Sequence, residues 1–147
     1  MVDLRELLSG LASDAPAVSV RDLCDDSRKV GEGALFLART GPRGDGREHI
    51  GQAVEKGAVA IACETPVTDE HRKAAGATPL VGVDDLAMKT GLIAERFFGE
   101  PAASMSFVGV TGTNGKTTVA HLTAGLLRAA GIRTACIGTL GADFDLG

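Results

Sequence analysis

The chain has 147 residues, 44% of them hydrophobic and 23% charged, which suits a globular protein and argues against disorder, a collagen-like repeat and a coiled coil. Fifteen basic against nineteen acidic residues leave a net charge of −4, so there is no broad positive field for a nucleic-acid backbone. With no Trp, no Tyr and five Phe, platforms for stacking single-stranded bases are scarce as well. No apolar run approaches the roughly 18 residues of a membrane span, and Cys24, Cys63 and Cys136 are too far apart for a zinc knuckle or a disulfide framework, so a cytoplasmic protein with reduced thiols is expected.

Leu4, Leu7, Leu8 and Leu11 recur at helical spacing among Asp3, Arg5 and Glu6, unlike the unbroken apolar core of a signal peptide. The spacing then predicts a strand at 35–38, a helix at 50–56 ended by Gly57, a strand at 58–63, a solvated connector at 65–78 with room for a short helix, and a strand at 80–83. Asp84 or Asp85 caps the next helix, whose apolar face is Leu86, Ile93, Ala94, Phe97 and Phe98. Gly99-Glu100-Pro101 breaks the pattern, which divides the chain into domains at 1–99 and 102–147.

After the break come a strand at 105–110, a glycine-rich turn at 111–115, a helix at 116–130 and a strand at 134–139. On that helix Val119, Leu122, Leu126 and Ala130 form the packing face, with His121 and Arg128 turned the other way. One βαβ unit is too little to cover a parallel sheet, so the expectation is an α/β protein cut inside its second domain. Asp143 and Asp145 then read as acids of a truncated loop rather than as a metal pair, and the half-built domain predicts self-association through an uncovered sheet edge.

The stretch joining strand to helix, Gly112-Thr113-Asn114-Gly115-Lys116-Thr117-Thr118, carries the clearest chemistry. Glycines let backbone N–H groups converge on phosphate oxygens, the helix N-terminus adds partial positive charge, Lys116 reaches the β- and γ-phosphates, and Thr117 offers a hydroxyl to Mg²⁺. The strict GxxxxGK[ST] pattern fails, because Val110 stands six residues before Lys116. Two earlier loops are less specific. Ser27, within 25–36, suits a hydrogen bond to a planar polar ring, or the segment is a capped turn with a surface ion pair; residues 41–47 suit an anion or sugar, or a plain turn.

Taken in order, Asp26-Ser27-Arg28-Lys29-Val30, Leu35-Phe36, Asp45-Gly46-Arg47 and the Val-Gly-Val-Thr-Gly-Thr-Asn-Gly-Lys-Thr-Thr run ending at Thr118 resemble the Mur ligases of peptidoglycan synthesis, from about residue 26 to 139. The likeness is strongest to the UDP-N-acetylmuramoyl-tripeptide synthetase type. The resemblance implies a small N-terminal α/β UDP-binding domain followed by the start of a P-loop-type α/β ATPase domain. It implies a parent enzyme that uses ATP and Mg²⁺ to add an amino acid to UDP-N-acetylmuramoyl-L-alanyl-D-glutamate through an acyl phosphate, monomeric at full length, with this chain inactive alone. By carry-over, Asp25, Ser27, Arg28, Pro42, Arg43, Gly44 and Asp45 fall on the UDP-contacting loops, and Gly112 to Thr118 hold ATP, with Lys116 catalytic and Thr117 on the metal. The loop at 42–44 reads Pro-Arg-Gly where the family commonly has His-Gln-Ala. The alternatives are a fragment of the next Mur ligase, which Asn114 disfavours, and a non-catalytic nucleotide-binding module.

Overall fold

The computed structural model describes residues 1–42 and 44–145, which divide into two compact units, Met1–Ser104 and Met105–Gly147. The first unit begins with β1 (Val2–Asp3) and α1 (Leu4–Leu7), and β1 pairs antiparallel with β2 (Ser19–Val20). Asp3 caps α1, accepting the Arg5 backbone N–H at 2.8 Å.

Four strands form its centre: β3 (Asp22–Cys24), β4 (Ala34–Ala38), then, after a hairpin of β5 (Thr40–Gly41) and β6 (Gly44–Asp45), β7 (Ala60–Glu64) and β8 (Leu80–Val83). They lie side by side in chain order and all run parallel, with Phe36 opposite Ile61 and Ala62 opposite Val81. A parallel sheet covered on both faces needs apolar residues at every position, and β4, Ala-Leu-Phe-Leu-Ala, is buried throughout.

The two faces separate by strand alternation. Leu35, Leu37, Ala60, Ala62, Val81 and Val83 meet Leu4, Leu7 and Leu8 with Leu86 and Ile93 of α4 (Leu86–Phe97). On the other face Ala34, Phe36, Ala38, Ile61 and Cys63 meet Ile50 and Ala53 of α2 (Ile50–Glu55) and Ala75 of α3 (Asp69–Ala75). Gly57 ends the α2 turn at φ +96°, and the helix inside the 65–78 connector is closed by a Thr68 and His71 capping box.

Two details of α4 differ from the sequence expectation. Asp85 does occupy the N-cap, but in the left-handed region and without a side-chain cap bond. Phe98 is 68% exposed, because the helix ends at Phe97 and turns the next ring off the apolar face; it sits edge-on to Phe97 at 5.1 Å between ring centres.

The second unit holds α5 (Lys116–Ala129), β9 (Thr134–Gly138) and β10 (Gly141–Asp145). Three expectations are corrected here. Residues 105–110 join no ladder among the described residues: a β-prone apolar run specifies a tendency, and a strand also needs a partner. β9 pairs antiparallel with β10, so the stretch holding Asp143 is a strand rather than a loop.

The covered face of α5 is not Val119, Leu122, Leu126 and Ala130. Val119, Leu122 and Leu126 are exposed, and Ala124, with Ala120 and Leu127 half-buried, faces the hairpin. Arg128 also lies on the covered side, donating to the Thr134 carbonyl at 3.0 Å and to Asp143 at 2.9 Å. Among the described residues no helix is long and apolar enough to cross a membrane.

Candidate functional site

All four parallel strands of the first unit end on one edge, where α/β sheets gather their ligands. The end of β3 leads into the turn of Asp25 to Arg28. Ser27 is buried there, and its hydroxyl donates to Gln52 Oε1 of α2 at 2.6 Å. Cys24 Sγ closes the same turn on the Asp26 carbonyl at 3.1 Å. Arg28 is engaged within the turn, its Nε and Nη2 both donating to Asp26 at 2.9 Å, and this guanidinium holds the Asp26 carboxyl well below the usual carboxylate range.

The end of β4 leads into the hairpin. Glu64, at the end of β7, accepts the Thr40 backbone N–H at 3.0 Å and its hydroxyl at 3.2 Å, which ties the hairpin base to the sheet. Gly46 follows at the hairpin's foot. A Cβ there would come within 2.8 Å of the Arg39 carbonyl oxygen, so only glycine lets the Gly46 N–H reach that oxygen at 2.9 Å. Pro42 is exposed at the hairpin tip, Gly44 takes φ +137° on β6, and Arg43 lies outside the described residues.

Asp45 is both the cap of the 3-10 turn Gly46–His49 and the partner of Arg47, whose Nη2 donates to it at 2.6 Å. That hydrogen bond lowers the Asp45 pKa from its ordinary 3.8, and partial burial offsets it only in part. A carboxyl whose folded pKa is depressed contributes stability above its unfolded value and loses it as pH falls through the folded one. Asp45→Ala is therefore expected to cost about 1 kcal/mol at neutral pH, and the difference from the parent chain should shrink below pH 3.8, which urea unfolding at pH 7 and pH 3 measures.

Sequence reading missed Arg39, Gln52 and Glu64, none of which stands in a motif. Arg39 follows an apolar strand and spans the edge, its Nη2 donating to Asp25 at 2.7 Å. Its Nε is shut off from solvent with no acceptor among the described residues. A buried N–H left unmade costs about 1–3 kcal/mol.

In the second unit the turn before α5 is shaped by Gly112 at φ +145° and Gly115 at φ +77°. Gly115 is the N-cap and no side chain caps the helix, so the first-turn N–H groups keep their hydrogen-bonding capacity for a ligand. Lys116 folds back over the turn, its Nζ donating to the carbonyls of Gly112 at 2.6 Å and Thr113 at 3.3 Å. Thr117 Oγ1 lies 3.3 Å from Thr139 Oγ1, beyond the end of β9. Lys116, Thr117 and Thr139 stand on the wall of a cavity of about 300 Å³ that runs along α5 past Val108, Val110 and Ala124. Thr113 and Asn114 are exposed on the same turn, and Thr118 is exposed in the first turn of α5.

Comparison with known proteins covers both units. Residues 22–98 match the Mur ligase family, catalytic domain, and residues 110–145 match the Mur ligase middle domain. The chain is 45% identical over 131 residues to the UDP-N-acetylmuramoyl-L-alanyl-D-glutamate--2,6-diaminopimelate ligase of Pseudomonas syringae pv. tomato, covering 85% of this chain and 25% of that protein. To the ligase of the same name from Ectopseudomonas mendocina it is 44% identical over 142 residues, covering 96% and 28%. A solved structure of a ligase of that name superposes with a TM-score of 0.71 at 27% identity, over 99% of this chain and 29% of the other. The MurF ligase of Thermotoga maritima, solved in complex with ADP, gives a TM-score of 0.54 at 28% identity, over 75% and 24%. The chain thus spans about a quarter of the length of the curated relatives it matches.

Proposed function

Because this chain belongs to the Mur ligase family and is similar to a MurF ligase solved in complex with ADP, we propose that it is the nucleotide-binding end of an ATP-dependent ligase joining an amino acid to UDP-N-acetylmuramoyl-L-alanyl-D-glutamate. Its first unit, within 1–99, takes the UDP end of that substrate; its second, within 102–147, takes ATP. The observation that carries the reading is the presence in one chain of an uncapped, glycine-shaped helix N-terminus bearing Lys116 and of a parallel sheet whose DSR turn and DG hairpin share one edge.

The roles follow from the chemistry of each group. The N–H groups of Gly112 to Thr118 cradle the phosphates of ATP, and Lys116 leaves the Gly112 and Thr113 carbonyls to offset charge on the γ-phosphate during transfer to the substrate carboxylate. Among the described residues no group of three His, Cys, Asp or Glu could hold a metal ion. The Thr117 hydroxyl fits Mg²⁺ as a single ligand, since this ion is commonly held by few protein oxygens together with phosphates and water. When bound there, Mg²⁺ would neutralise charge on the phosphates.

In the first unit, the Asp25 to Arg28 turn and the described hairpin residues Pro42, Gly44 and Asp45 bracket the UDP group, with Arg43 between them in sequence a further candidate ligand. Ser27 Oγ gives its proton to Gln52, so toward the uracil it acts as an acceptor. Calorimetric titration of the chain with UDP-N-acetylmuramoyl-L-alanyl-D-glutamate tests the reading. Saturable binding that weakens about tenfold in Ser27→Ala, the worth of roughly one hydrogen bond, is expected. A well-folded chain that binds ADP but no UDP compound would leave a phosphate loop without this substrate and overturn the assignment.

A further inference from the structure

Resting on the reading of the first unit as a uridine-nucleotide site, we propose that Arg39 is a further ligand of that nucleotide, holding its diphosphate from the end of β4. Three described arginines stand at the carboxyl edge of the sheet, and two are already spent. Arg28 gives both Nε and Nη2 to Asp26, and Arg47 gives both Nε and Nη2 to Asp45, each a closed pair two residues apart in the chain. Arg39 gives only Nη2, to Asp25 fourteen residues away, and its Nε has no acceptor among the described residues.

The position of this unspent guanidinium is what gives it a ligand. Arg39 is the first residue past the central strand, and it bridges the Asp25 turn and the hairpin. Its Nη1 lies against Gly41, where an added Cβ would approach within 3.3 Å. A guanidinium keeps its charge at any working pH and matches phosphate oxygens with paired N–H donors. Asp25 holds it in place in the absence of ligand. The side chain is 36% exposed, so an anion entering between turn and hairpin meets the guanidinium through its Nη groups, of which only Nη2 has an acceptor among the described residues, while Nε stays shut off from solvent. The Glu64 carboxylate on the same edge is occupied by Thr40 rather than by Arg39, so the guanidinium has one carboxylate partner to exchange.

Titrating the 147-residue chain with uridine, UMP and UDP separates a phosphate ligand from a merely structural clasp. Arg39→Ala is expected to weaken UDP at least tenfold and UMP by less, with uridine within twofold of the parent chain; Arg39→Lys recovers part of the UDP loss. Unchanged UDP affinity in Arg39→Ala overturns the proposal, and so does an equal loss for all three compounds, which marks a displaced turn. A parent chain that binds none of the three overturns this proposal together with the uridine-nucleotide reading, whereas parent binding with an unaffected variant overturns this one alone. Should Arg39→Ala fail to fold, Arg39→Gln carries the same comparison, with uridine affinity reporting the intact site.

Discussion

Lys116→Ala is expected to lower ADP affinity by about 10- to 100-fold, the worth of roughly one hydrogen bond to a charged group, while leaving the thermal midpoint of the chain nearly unchanged. Two losses combine. The ammonium is the only cationic group on the glycine turn, and without ligand it also holds the Gly112 and Thr113 carbonyls together. With Gly112 and Gly115 both at positive φ, the variant's turn has more conformations open to it before binding, so a nucleotide must order more backbone while losing the contact with the ammonium. Alanine at the first helical position preserves α5, so the fold should survive. Calorimetry with ADP, beside a melting curve by circular dichroism, reads the two effects separately. Unaltered ADP affinity in a folded variant would remove Lys116 from the site.

Much of the first unit is legible in sequence for a physical reason. Strands buried on both faces must be continuous apolar runs, and 35–38, 58–63 and 80–83 are such runs bounded by Gly33, Gly57 and Asp84. The α/β class follows from their alternation with helices. The second unit is less legible because α5 is apolar on two sides: Val119, Leu122 and Leu126 form one stripe, Ala120, Ala124 and Leu127 another. Periodicity alone favours the larger side chains, whereas against the β9 and β10 hairpin it is the smaller ones that are covered. The partners of site residues are likewise invisible locally. Gln52 stands 25 positions from Ser27 and Glu64 stands 24 from Thr40, and only the parallel register of β3, β4 and β7 brings these ends together.

Because that register positions the site, Phe36→Ala should damage both stability and binding. Phe36, 1% exposed on the central strand, is the largest side chain of its cluster. Half of that cluster, Ala34, Ala38, Ala53, Ala58 and Ala75, is too short to move into the space a lost ring would leave, and the larger Ile61 is held opposite Phe36 by the strand ladder. A cavity that cannot collapse puts the cost in the upper part of the usual range, about 3–5 kcal/mol. Phe98→Ala is the control: that ring is 68% exposed, and losing its edge contact with Phe97 is expected to cost about 1 kcal/mol or less. With no Trp or Tyr in the chain, urea unfolding followed by far-ultraviolet circular dichroism is the suitable probe. Phe36→Ala should shift the midpoint at constant slope. Since β4 carries Arg39 and the hairpin at its end, the variant should also lose UDP affinity in proportion to its unfolded fraction. A Phe36→Ala variant no less stable than Phe98→Ala would mean that the helices do not pack on this face of the sheet, and the edge on which the site is built would have to be redrawn.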